Sequence, residues 1–202
     1  ANTGVAICKG VQKNGVIATP KHYADNDAAG GRDSNYSDSS ERTMREVWLK
    51  PFEACFKEGG ALSVMAAYNS WECIPCSANH RLLTEILRDE WGFEGFVVSD
   101  YWGVEGVYEA HKLVDSYHKA EAVCLKAGLD VNLPHSCYEK LQKAYDEGLI
   151  TEADIDRAVL RVLTAKFTIG LMDQPFADRA AADALVRCDA HKQLALEPAR
   201  RS

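Results

Sequence analysis

Asp100 closes the run Gly95 to Asp100 (GFVVSD), a carboxylate placed directly after a short apolar stretch that reads as a buried strand. At the carboxyl end of such a strand an Asp has no packing role. It is an active-site group, a metal ligand or an N-cap for a following helix. Tyr101, Trp102 and Gly103 come next, and they read as an aromatic loop rather than a helix start. Aromatic faces stack on the C–H surface of a pyranose, so this neighbourhood suits a sugar site whose carboxylate attacks the anomeric carbon.

Other polar residues fall at the ends of apolar runs. Lys21 and His22 follow VIATP, and two adjacent donors there suit sugar hydroxyls. A rim salt bridge is the plainer use of the same pair, and a Schiff-base lysine at Lys21 is a rival chemistry. In MAAYN, Met65 is either core or site, Tyr68 is placed to hydrogen-bond a nucleophilic carboxylate, and Asn69 contacts a loop or the sugar. Asp130 in GLDVNLP reads as structural. Arg32 and Asp33 lie in a glycine-rich loop without the GxxxxGK[ST] phosphate pattern. His80, His111, His118, His135 and His191 have no mutual metal spacing and default to surface or capping roles. The seven cysteines are odd in number and scattered. Cys73 and Cys76 form one CxxC without a second ligand pair, so reduced thiols are preferred over zinc or a disulfide framework. No metal or other cofactor is expected.

The elements that must position these groups alternate between strand and helix. Strand candidates are 16–19, 62–67, 96–99 and 129–133, each ahead of a helical pattern. Helical stretches run over 41–58, with Pro51 predicting a kink or a break between two helices, and over 82–90, 119–126 and 138–147. Thr151 and Asp154 resemble a capping box opening an amphipathic helix that ends at Gly170. Residues 171–187 read as an irregular tail, and His191 to Arg200 as the start of another helix. Four apolar strands, each followed by a helix, indicate parallel βαβ units in an α/β fold buried on both sheet faces. An open doubly wound sheet and part of a (β/α)8 barrel compete. The absence of GxGxxG weakens the dinucleotide version of the former, and polar groups at strand ends favour the barrel. Four strands make about half a barrel, so the chain reads as the C-terminal half or more of a TIM-type barrel and a fragment of something larger.

With 202 residues, 47% hydrophobic and 26% charged, the chain is ordinary for a globular protein. Its formal net charge of -7 argues against nucleic acid or an anionic membrane as partner. No apolar run approaches the roughly 20 residues of a membrane span, and no signal peptide opens the chain.

In order along the chain, GVIATPKHYA, GGRDSNYSDSSERTMREVWLKPFEA with its Arg45-Glu46 and Pro51-Phe52 pairs, SVMAAYNSWECIPCSANHRLLTEILRDEWGFEGFVVSDYWGV, AGLDVNLP and KFTIGLMDQPF resemble glycoside hydrolase family 3, the β-glucosidase and β-xylosidase family. The resemblance covers roughly Gly15 to Phe176. It implies residues 1–176 as part of the catalytic barrel, with 177–202 leading toward a second α/β domain. It implies Asp100 as the nucleophile, Lys21 and His22 as hydroxyl-binding groups of the −1 subsite, Met65 and Tyr68 as its lining, and Tyr101 or Trp102 as part of a sugar platform. The partners it implies are a β-glucoside or β-xyloside and the remaining segments of the enzyme. The family's first strands, with a sugar-binding Asp and Arg, have no counterpart here, and its usual acid/base Glu lies on the second domain. The His of the family's hexosaminidase branch is also missing from KHYADNDAAGGRDSN. Glu72, Glu105 and Glu109 read as surface residues. Three readings stay open: a retaining glycosidase barrel portion, a non-catalytic sugar-binding remnant, and a Schiff-base lyase using Lys21. The resemblance ranks the first ahead, while glucose versus xylose, oligomer and compartment are left open.

Overall fold

The computed structural model of the chain describes residues 1–27, 35–133 and 140–201. Residues 1–169 form one compact unit and residues 170–202 a second.

The first unit is built on a parallel sheet of β2 (Ser63–Met65), β5 (Phe96–Tyr101) and β6 (Val131–Leu133). Met65 is in register with Val98, and Val98 with Val131. A fourth segment lies along β2 without being a regular strand. Pro20 and Tyr23 bracket Met65, whose N–H donates to Pro20 O (3.1 Å) and whose carbonyl accepts from Tyr23 N–H (2.8 Å). The strand expected over 16–19 is therefore displaced to 20–23. Pro20 brings a carbonyl to the ladder but no N–H, and the peptides Lys21–His22 and Tyr23–Ala24 are cis. The four segments follow chain order across the sheet, with no reversal of direction.

Helices cover one face. Along β5, Val97 and Ser99 are fully buried while Phe96 and Asp100 are half-buried. Val64 and Asn132 continue the covered face, and Met65, Val131 and Leu133 the half-open one. On this second face Ser63 and Val98 are buried and the others half-buried, so the residues of this chain cover it in part. The core on the covered side joins Val64, Leu82, Leu83, Ile86, Leu87, Val97 and Leu129. Tyr23 is fully buried in it, edge-on to Phe52, Phe56 and Trp91, and its hydroxyl donates to Leu82 O.

The helical stretch expected to kink or break at Pro51 is broken, into three pieces. A turn of α2 (Glu41–Thr43) is capped by Ser40, a wide turn runs over Met44–Trp48, and α3 (Lys50–Lys57) carries Pro51 in its first turn. Pro51 cannot donate to a preceding carbonyl, and the helix resets just ahead of it, with Leu49 N–H reaching back five residues to Met44 O. The helix Arg81–Glu90 is also wide. Its Glu90 accepts from Arg45 through a two-pronged contact, and Arg45 also pairs with Glu41. Gly95 has no room for a side chain, since a Cβ there would sit 2.2 Å from Leu62 O, so β5 can enter the sheet beside β2 only with glycine at this point.

Helices α1 (Asn2–Gln12) and α4 (Gly103–Glu109) were not expected from the sequence. The segment after Asp100 is thus a helix start and not a free loop. The other helices of the unit are α5 (Tyr117–Ala127), α6 (Leu141–Asp146) and α7 (Glu152–Thr168). The first residues of the helix expected over 138–147 lie outside the described ones, as do Arg32, Asp33 and His135. A small second sheet pairs β1 (Tyr36–Ser37) with the hairpin of β3 (Ser70–Trp71) and β4 (Ile74–Pro75). Cys73 is exposed at the hairpin turn and Cys76 is buried, its thiol pushed up to about 12 by that burial. In the second unit, α8 (Arg179–Leu185) starts on an Asp178 cap and α9 (Asp189–Arg201) follows, so 171–187 is not wholly irregular.

The capping box of α7 is formed. The Asp154 carboxylate accepts from Thr151 N–H (2.9 Å) and Thr151 Oγ1 (2.8 Å), while Arg157 reaches its other oxygen (2.7 Å). Partial burial pushes the carboxyl up, but these donors outweigh it and bring it down to about 2. A depressed carboxyl stabilises the fold above its unfolded value of about 4 and stops doing so as pH falls through its folded value. Asp154→Ala is expected to cost about 1 kcal/mol at pH 7. Urea denaturation of both proteins should show that difference shrinking between about pH 4 and pH 2.

Candidate active site

The carboxyl ends of three adjacent sheet segments carry the site. His22 comes from the segment beside β2, Tyr68 from the end of β2, and Asp100 from β5. In a parallel sheet the carboxyl ends of neighbouring strands lie side by side, and Met65, in register with Val98, stands between the His22 segment and β5.

Asp100 and His22 meet directly: His22 Nε2 lies 3.0 Å from Asp100 Oδ2, with both side chains largely buried (19% and 13% exposed). Asp100 Oδ1 accepts from Tyr101 N–H at 2.8 Å. Each carboxylate oxygen has two lone-pair directions, and these two contacts take up one direction on each. The Tyr68 hydroxyl does not bond Asp100 itself. It donates to Tyr101 O at 2.8 Å, holding the peptide that follows the carboxylate.

Beyond Asp100 the chain turns sharply from strand to helix. Trp102 takes the left-handed conformation (φ 56°), and its N–H donates to Leu133 O at 2.9 Å. A bulky residue at positive φ is uncommon and is tolerated where the surroundings enforce it. The result is an exposed aromatic pair, Tyr101 and Trp102 at 51% and 57%, edge to face with centroids 5.7 Å apart. Ser99 ties the strand below to β6, donating to Asn132 Oδ1 and accepting from Leu133 N–H.

Lys21 is not part of this cluster. It is exposed, and no ion pair joins it to Asp100 among the described residues. It lines an apolar cavity of about 510 Å³ with α1 and α3, including Ile7, Cys8, Phe52 and Cys55. Met65 is half-buried on the same sheet face as Asp100. Asn69 is wholly buried and donates to Ala24 O, so it braces the loop. Glu72 stands on the hairpin turn, while Glu105 and Glu109 line a second cavity of about 350 Å³ beside Trp102. Glu109 accepts from the Tyr117 hydroxyl.

Two of the histidines expected in surface or capping roles are bonded inside. His118 is buried and pairs with Glu147 at 2.9 Å. His111 is half-buried with Nε2 2.8 Å from Tyr68 O. Nothing in local sequence signals the latter, which spans 43 positions.

The chain matches the model of the glycosyl hydrolase family 3 N terminal domain over residues 1–165. A beta-xylosidase of Formosa agariphila is 36% identical over 219 aligned residues, taking in 98% of this chain and 30% of that protein. A beta-glucosidase of Rhizobium radiobacter is 36% identical over 177 residues, taking in 86% of this chain and 20% of that protein. Among solved structures, a β-glucosidase from Erythrobacter marinus superposes with a TM-score of 0.90 at 37% identity, covering 95% of this chain and 27% of that one. The β-glucosidase 3B of Thermotoga neapolitana in complex with glucose gives 0.67 at 34%, covering 80% and 22%. The chain therefore spans less than a third of the length of these relatives.

Proposed function

The chain belongs to glycosyl hydrolase family 3, and on that premise we propose that it carries the nucleophile of a retaining β-glycosidase that removes terminal β-D-glucosyl or β-D-xylosyl residues. The observation that carries the reading is the Asp100 carboxylate at the end of β5, held at 3.0 Å by His22 of the neighbouring segment and bordered by two exposed aromatic rings. An oxygen of Asp100 attacks the anomeric carbon as the aglycone oxygen leaves with a proton, giving a glycosyl ester. Water then attacks the same carbon and frees the sugar with its configuration retained. His22, Met65 and Tyr68 are the proposed −1 subsite, Tyr101 and Trp102 its platform, and Lys21, exposed next to His22 and outside that cluster, a further proposed hydroxyl donor.

Retention requires a second carboxyl group about 5–5.5 Å from the first. The hydrogen-bonded cluster around Asp100 holds no other carboxylate among the described residues. In this reading the acid/base belongs to another part of the intact enzyme. The sheet supports an arc of a (β/α)8 barrel: its segments follow chain order without the reversal of a doubly wound sheet. The half-open face of Met65, Phe96, Val131 and Leu133 then faces the remaining strands. A Schiff-base role for Lys21 is less well supported, because an exposed ammonium lacks the desolvation that activates such lysines.

The test is incubation of the intact protein with a 2-deoxy-2-fluoro β-glucoside bearing a good leaving group, followed by peptide mapping. A fluoroglucosyl adduct on Asp100 is the expected result. An adduct on any other carboxylate overturns the assignment.

A further inference from the structure

We propose that His111 is a positioning residue of the Asp100 site, acting through Tyr68. The inference rests on the function proposed above and adds a residue that is neither in the β5 motif nor in contact with Asp100. A carbonyl oxygen only accepts, so the His111 nitrogen 2.8 Å from Tyr68 O carries the proton and donates. From there the connection is continuous. Tyr68 Oη donates to Tyr101 O at 2.8 Å, and Tyr101 N–H donates to Asp100 Oδ1 at 2.8 Å. His22 closes on the other carboxylate oxygen.

His111 has a firm base from which to do this. It sits just past α4, where Gly106 O accepts both Ala110 N–H and His111 N–H at 2.9 Å, and Leu113 N–H returns to Val107 O at 3.0 Å. The loop carrying Tyr68 is thereby tied to the helix that begins immediately after Trp102. Both sides of the strand-to-helix turn are held against each other, and the turn is what aims Asp100. Displacement at an anomeric carbon needs the attacking oxygen at about 3–3.5 Å in line with the leaving group, and an error near 1 Å costs about 100-fold. Removing the brace should therefore slow formation of the glycosyl ester more than it weakens sugar binding.

The experiment follows the rate of fluoroglucosyl labelling of Asp100 in the intact protein, separated into a binding constant and a first-order rate. His111→Leu removes the donor. His111→Gln keeps an N–H at similar reach. Leu is expected to lower the first-order rate by about 10- to 100-fold with little change in binding, and Gln to recover most of it. Tyr68→Phe, which also alters the proposed subsite, should lower the first-order rate at least as much, and adding His111→Leu to it should lower that rate no further, since both break the same chain. Hydrogen exchange of the Trp102 amide, read without any ligand, should speed up in the Leu variant and not in Gln. If Leu labels as fast as the wild type with unchanged exchange, the proposal is wrong. Equal loss in Leu and Gln also overturns it, because that reports packing and not the hydrogen bond. If wild-type Asp100 takes no label, the glycosidase reading fails, and the exchange data alone decide whether His111 braces the turn.

Discussion

Asp100→Gly is expected to lower hydrolysis of a nitrophenyl β-glucoside by the intact enzyme about 10⁴-fold or more, roughly 5 kcal/mol of transition-state stabilisation. The loss is large because no neighbour can take over the attack. His22 and Tyr101 N–H present donors to this position, not lone pairs. Stereochemistry makes the prediction sharper than a rate. Removing the side chain opens space beneath the sugar's α face, and azide fits there. Azide should restore part of the rate and yield the α-glucosyl azide, the inverted product, because it attacks once from the side the carboxylate occupied. A β-glucosyl azide would mean that the residue removed was the acid/base, with the covalent ester still forming elsewhere. No rescue together with a normal fold would leave Asp100 without a nucleophilic role. His22→Ala is expected to be milder, since it removes one of two groups that orient the carboxylate and leaves the attacking oxygen in place.

That Asp100 and His22 both stand at the ends of sheet segments was readable because it needs only two local rules: an apolar run makes a strand, and parallel strands gather their polar ends on one side. The rest depends on contacts that no window of sequence contains. The first strand moved to 20–23 because its ladder is set by β2, where Met65 pairs with Pro20 and Tyr23. Helix α4 begins with two glycines in GVEGVYE, poor helix formers, and tertiary burial of Val104 and Val107 holds it. Helix α1 carries Gly4 and Gly10 and is likewise held by packing of Val5 and Cys8. Helix α8, by contrast, had a local signal in the Asp178 cap ahead of RAAADAL, hidden by its lack of apolar periodicity. The contact of His111, expected in a surface or capping role, was not legible because its partner is Tyr68 O, a backbone atom 43 residues away.

Asp130→Ala is expected to destabilise the protein by about 3–5 kcal/mol, measured as a shift in the urea midpoint at unchanged slope. The side chain is 1% exposed, and each oxygen has a guanidinium at 2.9 Å: Arg88 of the Arg81–Glu90 helix on one and Arg161 of α7 on the other. Val97 N–H adds a third bond at 2.8 Å. Burial pushes the Asp130 carboxyl up and the two arginines push it back without fully offsetting that cost. The cluster is therefore no large asset compared with a well-packed apolar core. Breaking it is another matter, because alanine leaves Arg88 buried with its charge unpaired. Arg88 also donates to Phe93 O and Gly95 O, so its displacement disturbs the entry of β5. Arg161→Met, which removes the more exposed cation and leaves Arg88 paired, should cost clearly less. Asp130 anchors the strand at Val97, three positions before Asp100, so a fold that survives Asp130→Asn should label Asp100 more slowly. An Asp130→Ala protein as stable as the wild type would show that Arg88 finds water or another acceptor, and that β5 is held by its apolar face alone.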